Sequence, residues 1–370
     1  MKRVYRVGVV TLETSKKVKR RHRREQNRVA PKPRAMLLPV VTALLALSLK
    51  AALKPQPLPP FLEPYGEKAL MLTEAALGDD ALKVTRGIAY GPEAHQRLDV
   101  WVPAMSPSAP MPIVMGIHGG GWEFGYPEWA GFGAQAVCAA PALYITPAYA
   151  LGLGERQAWP ASRDDLLAAL RWVIDHAADE EFGGDPSRLV ITGHSAGAHL
   201  SACLGLDPPL LRAAGVPPSA VKALFLVSGP VGLRAQDFAP RQWLWRFWVG
   251  RPLVSWLYRK VAPNLRAVVG APVDPAAVLA ASPLARLAEQ DQAALPPLVH
   301  VAYGGKGDFP FCKPQAVRLQ AELSRLGADG GGPRVELLEL EGCDHFGTHW
   351  ALADTEGPWC AALREVLRDI

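Results

Sequence analysis

A chain of 370 residues, 49% of them hydrophobic, is long enough for one large α/β domain or two small ones and carries ample material for a buried core. Its five cysteines, Cys138, Cys203, Cys312, Cys343 and Cys360, are scattered and odd in number, and they lack metal-ligand spacing, so they read as buried free thiols rather than a disulfide framework or a zinc site. The net charge of +5 hides a division: residues 1–54 hold 15 Lys/Arg against 2 Asp/Glu, while the remainder holds 25 against 33, so the body of the chain is acidic and offers no case for nucleic-acid binding.

The basic leader, 1–34, centres on Arg20-Arg21-His22-Arg23-Arg24. It has too little apolar area to fold alone. Residues 35–53 follow as an apolar run, Ala35-Met36-Leu37-Leu38 onward. A membrane span needs about 20 such residues, so this run is at the lower limit. Three readings stand. It is a signal anchor with its basic side in the cytosol, a cleaved organelle-targeting sequence, or a helix packed on the rest of the protein. Membrane association through 35–53 is the expectation of the first. A stiff, proline-rich linker, 54–64, then marks the domain boundary.

From 65 onward, short apolar runs alternate with amphipathic stretches. Strands are expected over 85–90, 98–102, 112–117, 143–147, 188–192, 223–227, 298–302 and 335–340, with helices over 161–178 and 314–326 among others. This alternation predicts an α/β fold, a mostly parallel sheet with helices on both faces. Sites in such sheets lie beyond the carboxyl ends of the strands.

Three motifs fall at such ends. After the run 113–117 comes His118-Gly119-Gly120-Gly121-Trp122, whose glycines leave backbone N–H groups free to face a ligand. The N–H groups of Gly120 and Gly121 are the candidate oxyanion donors, with Ala196 as a third and Gly119 as a close substitute. His118 is expected to pin the loop. The second motif, Gly193-His194-Ser195-Ala196-Gly197, sits between the β-branched run 188–192 and the helical pattern from Ala198. Strand, G-x-S-x-G and helix together describe a nucleophile elbow, with Ser195 at a tight, strained tip. A serine nucleophile of this type is followed in sequence by an acid and then a histidine. Asp308, after the strand 298–302 and the turn Gly304-Gly305-Lys306-Gly307, supplies the acid. His345, after the strand 335–340, supplies the base. In these roles His345 moves the Ser195 proton and Asp308 orients the imidazole. Asp344 is the rival acid, disfavoured because a residue adjacent to the base seldom points back at its ring. His194 and His199 flank the serine and are expected to shape the elbow.

The segment 237–261 collects Trp243, Trp245, Trp248, Trp256 and several arginines where a lid-like insertion, about 231–281, is expected. It suits an interfacial or acyl-binding wall, and a core-packing helix pair stands beside that reading. Trp122, Trp245 and Trp248 are the candidate substrate contacts. Neither a metal nor an organic cofactor is implied.

With these motifs the chain from about 80 to its end resembles α/β-hydrolases of the esterase/lipase type. Within them it is most similar to isoprenylcysteine α-carbonyl methylesterases, through Tyr90-Gly91, Arg97-Leu98-Asp99-Val100-Trp101-Val102-Pro103, Gly125-Tyr126-Pro127-Glu128-Trp129 and Phe182-Gly183-Gly184-Asp185-Pro186-Ser187-Arg188. His118-Gly119-Gly120-Gly121 is nearer the hormone-sensitive-lipase pattern, and Asp344-His345-Phe346 is nearer kynurenine formamidases. The resemblance implies a serine hydrolase of a small or prenylcysteine methyl ester, at a membrane or in an organelle. An arylformamidase using the same residues is the alternative. A hydrolase fold kept only for binding is the alternative of another class.

Overall fold

The computed structural model describes residues 58–60, 62–105, 107, 109–152, 157–238, 266, 268–269, 272–305, 307–326 and 332–370. The basic leader, the apolar run 35–53 and the tryptophan-rich stretch with Trp245 and Trp248 lie outside them. Among the described residues no helix is long and apolar enough to cross a membrane.

The folded body starts earlier than the expected residue 65. Helix α1 spans Glu63–Leu77, Leu62 is buried, and Leu58 packs against the core. The end of the proline-rich linker is therefore part of the body, because its two leucines have an apolar surface to cover.

Among the described residues eight strands follow: β1 (Leu82–Ala89), β2 (Arg97–Pro103), β3 (Met111–Ile117), β4 (Leu143–Pro147), β5 (Gly184–His194), β6 (Val221–Val227), β7 (Leu298–Gly304) and β8 (Arg334–Leu340). They form one sheet in the order β1-β2-β4-β3-β5-β6-β7-β8. Only the β1–β2 and β2–β4 pairs are antiparallel; every pair from β4 to β8 is parallel. The central strands carry near-continuous apolar runs, such as 113–117 in β3 and 223–227 in β6, because both their faces are buried. In β3, Ile113, Met115 and Ile117 face one core cluster and Val114 the other. In β6, Leu224 and Leu226 face the first cluster, while Phe225 and Val227 face the second.

Helix α2 (Ala161–His176), helix α3 (Ala196–Gly205) and helix α4 (Cys312–Leu326) cover the first face. Helix α1 and helix α6 (Pro358–Asp369) cover the second, and the short helix α5 (His345–Trp350) follows β8 at the carboxyl edge. On α2, Leu166, Leu170 and Val173 recur at helical spacing and are fully buried. The buried Asp165 on the same helix accepts hydrogen bonds from Ala150 N–H at 2.8 Å and Gln96 Nε2 at 2.7 Å, and it pairs with His95 Nε2 at 2.8 Å. It ties the loops after β1 and β4 to the body. The turns that leave β3, β5, β6, β7 and β8 at their carboxyl ends all open toward one edge, where the sequence motifs meet.

Candidate active site

β5 ends at His194 and α3 begins at Ala196, so one residue makes the turn between them. That residue, Ser195, has φ 55° and ψ −118°. A non-glycine residue held there is strained, and the surroundings must hold it. They do so through the backbone. Ser195 N–H donates to the Val227 carbonyl at 2.9 Å, and its own carbonyl accepts from His199 N–H at 3.1 Å. A Cβ on Gly193 would collide with Gly197, and one on Gly197 with the Ile117 carbonyl. The two glycines of G-x-S-x-G are thus required by the close approach of β3, β5 and α3.

The structure brings Ser195, His345 and Asp308 together. Ser195 Oγ lies 3.0 Å from His345 Nε2, and His345 Nδ1 lies 2.9 Å from Asp308 Oδ1. Asp308 is well supplied with donors. Its Oδ2 accepts from Ser228 Oγ and from Gly304 N–H, both at 2.8 Å, and its Oδ1 also accepts from Phe309 N–H at 2.7 Å. Burial pushes the Asp308 carboxyl up, but the bonds from His345, Gly304 and Ser228 outweigh it and hold it below the ordinary carboxylate value. An ionised Asp308 only accepts, so the proton of a neutral His345 belongs on Nδ1. Nε2 is then left to accept from Ser195. Asp344 is placed otherwise: its Oδ1 caps the start of α5, accepting from Gly347 N–H at 2.6 Å.

The glycine loop after β3 forms the facing wall. His118 Nδ1 donates to the Gly119 carbonyl at 2.8 Å, and its ring stacks on Tyr149 at 4.4 Å. Tyr149 in turn donates to the His118 carbonyl at 2.8 Å. Burial pulls the His118 imidazole down to about 4, so it is neutral and holds the loop. Gly120 has φ 124°, a conformation that a side chain would oppose, and a Cβ there would meet the Phe124 carbonyl. The Gly120 carbonyl accepts from Glu123 N–H at 3.2 Å and Phe124 N–H at 3.0 Å, folding the loop back on itself. The N–H groups of Gly120, Gly121 and Ala196 have no protein acceptor among the described residues. Gly120 and Gly121 line the cleft that holds Ser195 and His345. Ala196 lies directly behind Ser195 as the first residue of α3.

Trp122 is not in this cleft, contrary to its reading as a substrate contact. Its φ of 64° carries the chain through a left-handed turn, and the indole is 4% exposed. Nε1–H donates to His199 Nδ1 at 3.1 Å, while His199 Nε2 donates to the Ala281 carbonyl at 2.7 Å. Trp122 and His199 therefore form a buried prop behind the elbow, and His199 is pulled down to about 4 by burial.

Sequence reasoning missed the aromatic side of the cleft. Phe309, Phe346, Phe124 and, from α1, Tyr65 line it, around a cavity of about 110 Å³. Tyr65 donates its hydroxyl to His349 Nδ1 at 2.5 Å. His349 stacks face to face on His194 at 4.5 Å, and His194 Nε2 donates to the His345 carbonyl at 2.8 Å. Burial pushes His349 down to about 3 and His194 well below the imidazole range, so this column is uncharged. Tyr65 carries no local signal, because it lies 284 residues from its partner. Ser228 has one: it stands at the end of a predicted strand, before Gly229-Pro230, with φ 47°.

Among the described residues, the donor atoms of Asp308, Cys312 and His345 come within 4.8 Å of one another, a spacing that a metal ion requires. These groups are already engaged with their neighbours. His345 Nδ1 bonds Asp308, and Cys312 Sγ donates to the Ser228 carbonyl at 3.4 Å. An ion would have to break both bonds.

Known proteins share the fold and parts of the sequence. The BD-FAE family model matches residues 98–210, which span the glycine loop and the elbow. A truncated carbohydrate esterase from gut microbiota superposes with a TM-score of 0.58 at 19% identity, over 79% of this chain and 97% of that one. Esterase B of Lactobacillus rhamnosis superposes with a TM-score of 0.58 at 20% identity, over 91% and 94%. The chain has the α/β-hydrolase fold. In sequence it is similar to the carboxylesterase NlhH of Mycobacterium tuberculosis, 35% identical over 139 residues, 37% of this chain and 41% of that one. It is also similar to a probable isoprenylcysteine alpha-carbonyl methylesterase of Arabidopsis thaliana, 33% identical over 124 residues, 32% of this chain and 24% of that one. The matched region thus spans less than half the length of these curated relatives.

Proposed function

We propose that the chain hydrolyses carboxylic esters through an acyl-enzyme on Ser195. One observation carries the reading: the continuous hydrogen bonding from Ser195 Oγ through His345 to Asp308, at 3.0 and 2.9 Å. In the first step Ser195 Oγ attacks the ester carbonyl carbon and passes its proton to His345 Nε2. Asp308 stabilises the imidazolium that results. The carbonyl oxygen becomes an oxyanion facing the free N–H groups of Gly120, Gly121 and Ala196. The intermediate collapses, the C–O bond to the alcohol breaks, and His345 returns the proton to the departing alkoxide. Water then repeats the sequence on the acyl-enzyme, with His345 as its base, and releases the acid.

A cavity of about 110 Å³ beside Ser195 favours a short acyl group or a small alcohol such as methanol. The names of the sequence relatives, carboxylesterase and isoprenylcysteine methylesterase, support the same class. A stopped-flow assay of p-nitrophenyl butyrate on the full chain tests the proposal. The expected result is a burst of nitrophenol stoichiometric with enzyme, absent from Ser195→Ala. A folded protein with no turnover of butyrate, acetate or prenylcysteine methyl ester would refute it and leave a binding role.

A further inference from the structure

Glu123 lies two residues beyond Gly121, and it lines the same cleft as Ser195 and His345. It is half-buried, and its carboxylate has no hydrogen bond or ion pair among the described residues. No lysine or arginine lines the described cleft, and Glu123 is the one carboxylate among its described lining residues. Burial raises its carboxyl above the ordinary value, as expected for a charge that lacks a partner.

Such a group is a double burden on the cleft. A carboxylate partly withdrawn from water without a partner is destabilising. It also opposes the oxyanion that the proposed reaction forms in the same cleft, since two negative charges repel more strongly away from bulk water. A cation on the substrate would relieve both effects. The remaining walls suit one: Phe124, Phe309, Phe346 and Tyr65 offer aromatic rings, whose faces attract alkylammonium groups.

We propose that Glu123 is a specificity-determining residue that selects esters bearing an alkylammonium group close to the scissile bond. The inference rests on the Ser195 ester-hydrolase reading and names the substrate class for that site.

The test compares butyrylcholine with its neutral isostere, in which a tert-butyl group replaces the trimethylammonium. For the full chain, kcat/KM should favour the choline ester by about tenfold. Glu123→Gln should bring that ratio close to one, and Glu123→Lys should invert it. A wild-type ratio of one or below, or a ratio that Glu123→Gln leaves intact, overturns the proposal. Calorimetric titration of Ser195→Ala with butyrylcholine separates this proposal from the hydrolase reading. Binding that weakens about tenfold when Glu123→Gln is added supports a cation site even if no ester is turned over. Equal binding by the two variants, or none by either, counts against it.

Discussion

The two sides of the Ser195 cleft are held by different means. On the side formed by β3, β5 and α3, the backbone does the holding: Gly193 and Gly197 let three elements approach where a Cβ would collide, and Gly120 turns the loop at φ 124°. On the side formed by the turns after β6, β7 and β8, side chains do it. Asp308 gathers Ser228, Gly304, Phe309 and His345 around one carboxylate. Behind His345, the column His194, His349 and Tyr65 supports its backbone. The first kind of support has no intermediate setting, because a methyl group either fits or displaces a strand. The second kind can be weakened one bond at a time.

The largest expected effect is chemical. His345→Ala removes the proposed base while leaving the glycine side untouched, and it should lower kcat for ester hydrolysis by roughly ten-thousandfold or more. Circular dichroism and melting temperature should stay close to the parent. A loss of less than tenfold would break the comparison by showing that the side-chain half does not carry the chemistry.

Gly197→Ala acts on the other half. The added Cβ meets the Ile117 and His118 carbonyls, which belong to backbone that cannot rotate away. A destabilisation of about 3 kcal/mol or more is expected in urea unfolding. An alanine variant as stable as the parent would mean that β3 and α3 can move apart, and the contrast between the two halves would dissolve.

A third effect belongs to both sides. His118 and His199 are pulled to about 4 by burial, and burial with help from neighbouring imidazoles pulls His349 to about 3 and His194 well below the imidazole range. In the unfolded chain each titrates near the ordinary 6.5. As pH falls below about 6.5, the unfolded state takes up protons that the folded state refuses. Stability is therefore complete above that value and is lost as pH falls toward about 4, by up to ~1.4 kcal/mol per pH unit for each such histidine. Urea midpoints from pH 7 to 4.5 should fall steadily, and His349→Gln should flatten the slope. A flat profile would contradict neutral burial.

The smallest effect separates the two aspartates. Asp344→Ala removes an N-cap and should cost about 1 kcal/mol of stability with kcat kept within a few fold. A fall in kcat like that of His345→Ala would return Asp344 to the role given to Asp308.

The same contrast decides what the sequence disclosed. The backbone-held half is written locally. Glycine spacing around Ser195 and after His118 records close approach, and the β-branched runs before them record strands buried on both faces. All eight described strands were legible as short apolar runs between amphipathic stretches, the central ones for that reason, with ends within a few residues except β5, which starts at Gly184. The side-chain-held half is written in pairs far apart. Asp308 and His345 could be found because each follows a strand in a fixed order. Ser228, Tyr65 and His349 could not be joined to them, since nothing in a sequence marks a contact across the sheet. Trp122 misled because its neighbours are loop glycines. Its left-handed φ sends the indole into the core, and that angle is not visible in the residue type.

The central claim is that Ser195 is a nucleophile made ready by His345 and Asp308. Its most direct test is covalent labelling of the full chain with a fluorophosphonate, followed by peptide mass mapping. The account predicts a single adduct on the peptide carrying Ser195, absent in Ser195→Ala and strongly slowed in His345→Ala. A folded chain that takes no label, or one labelled equally fast without His345, would contradict it.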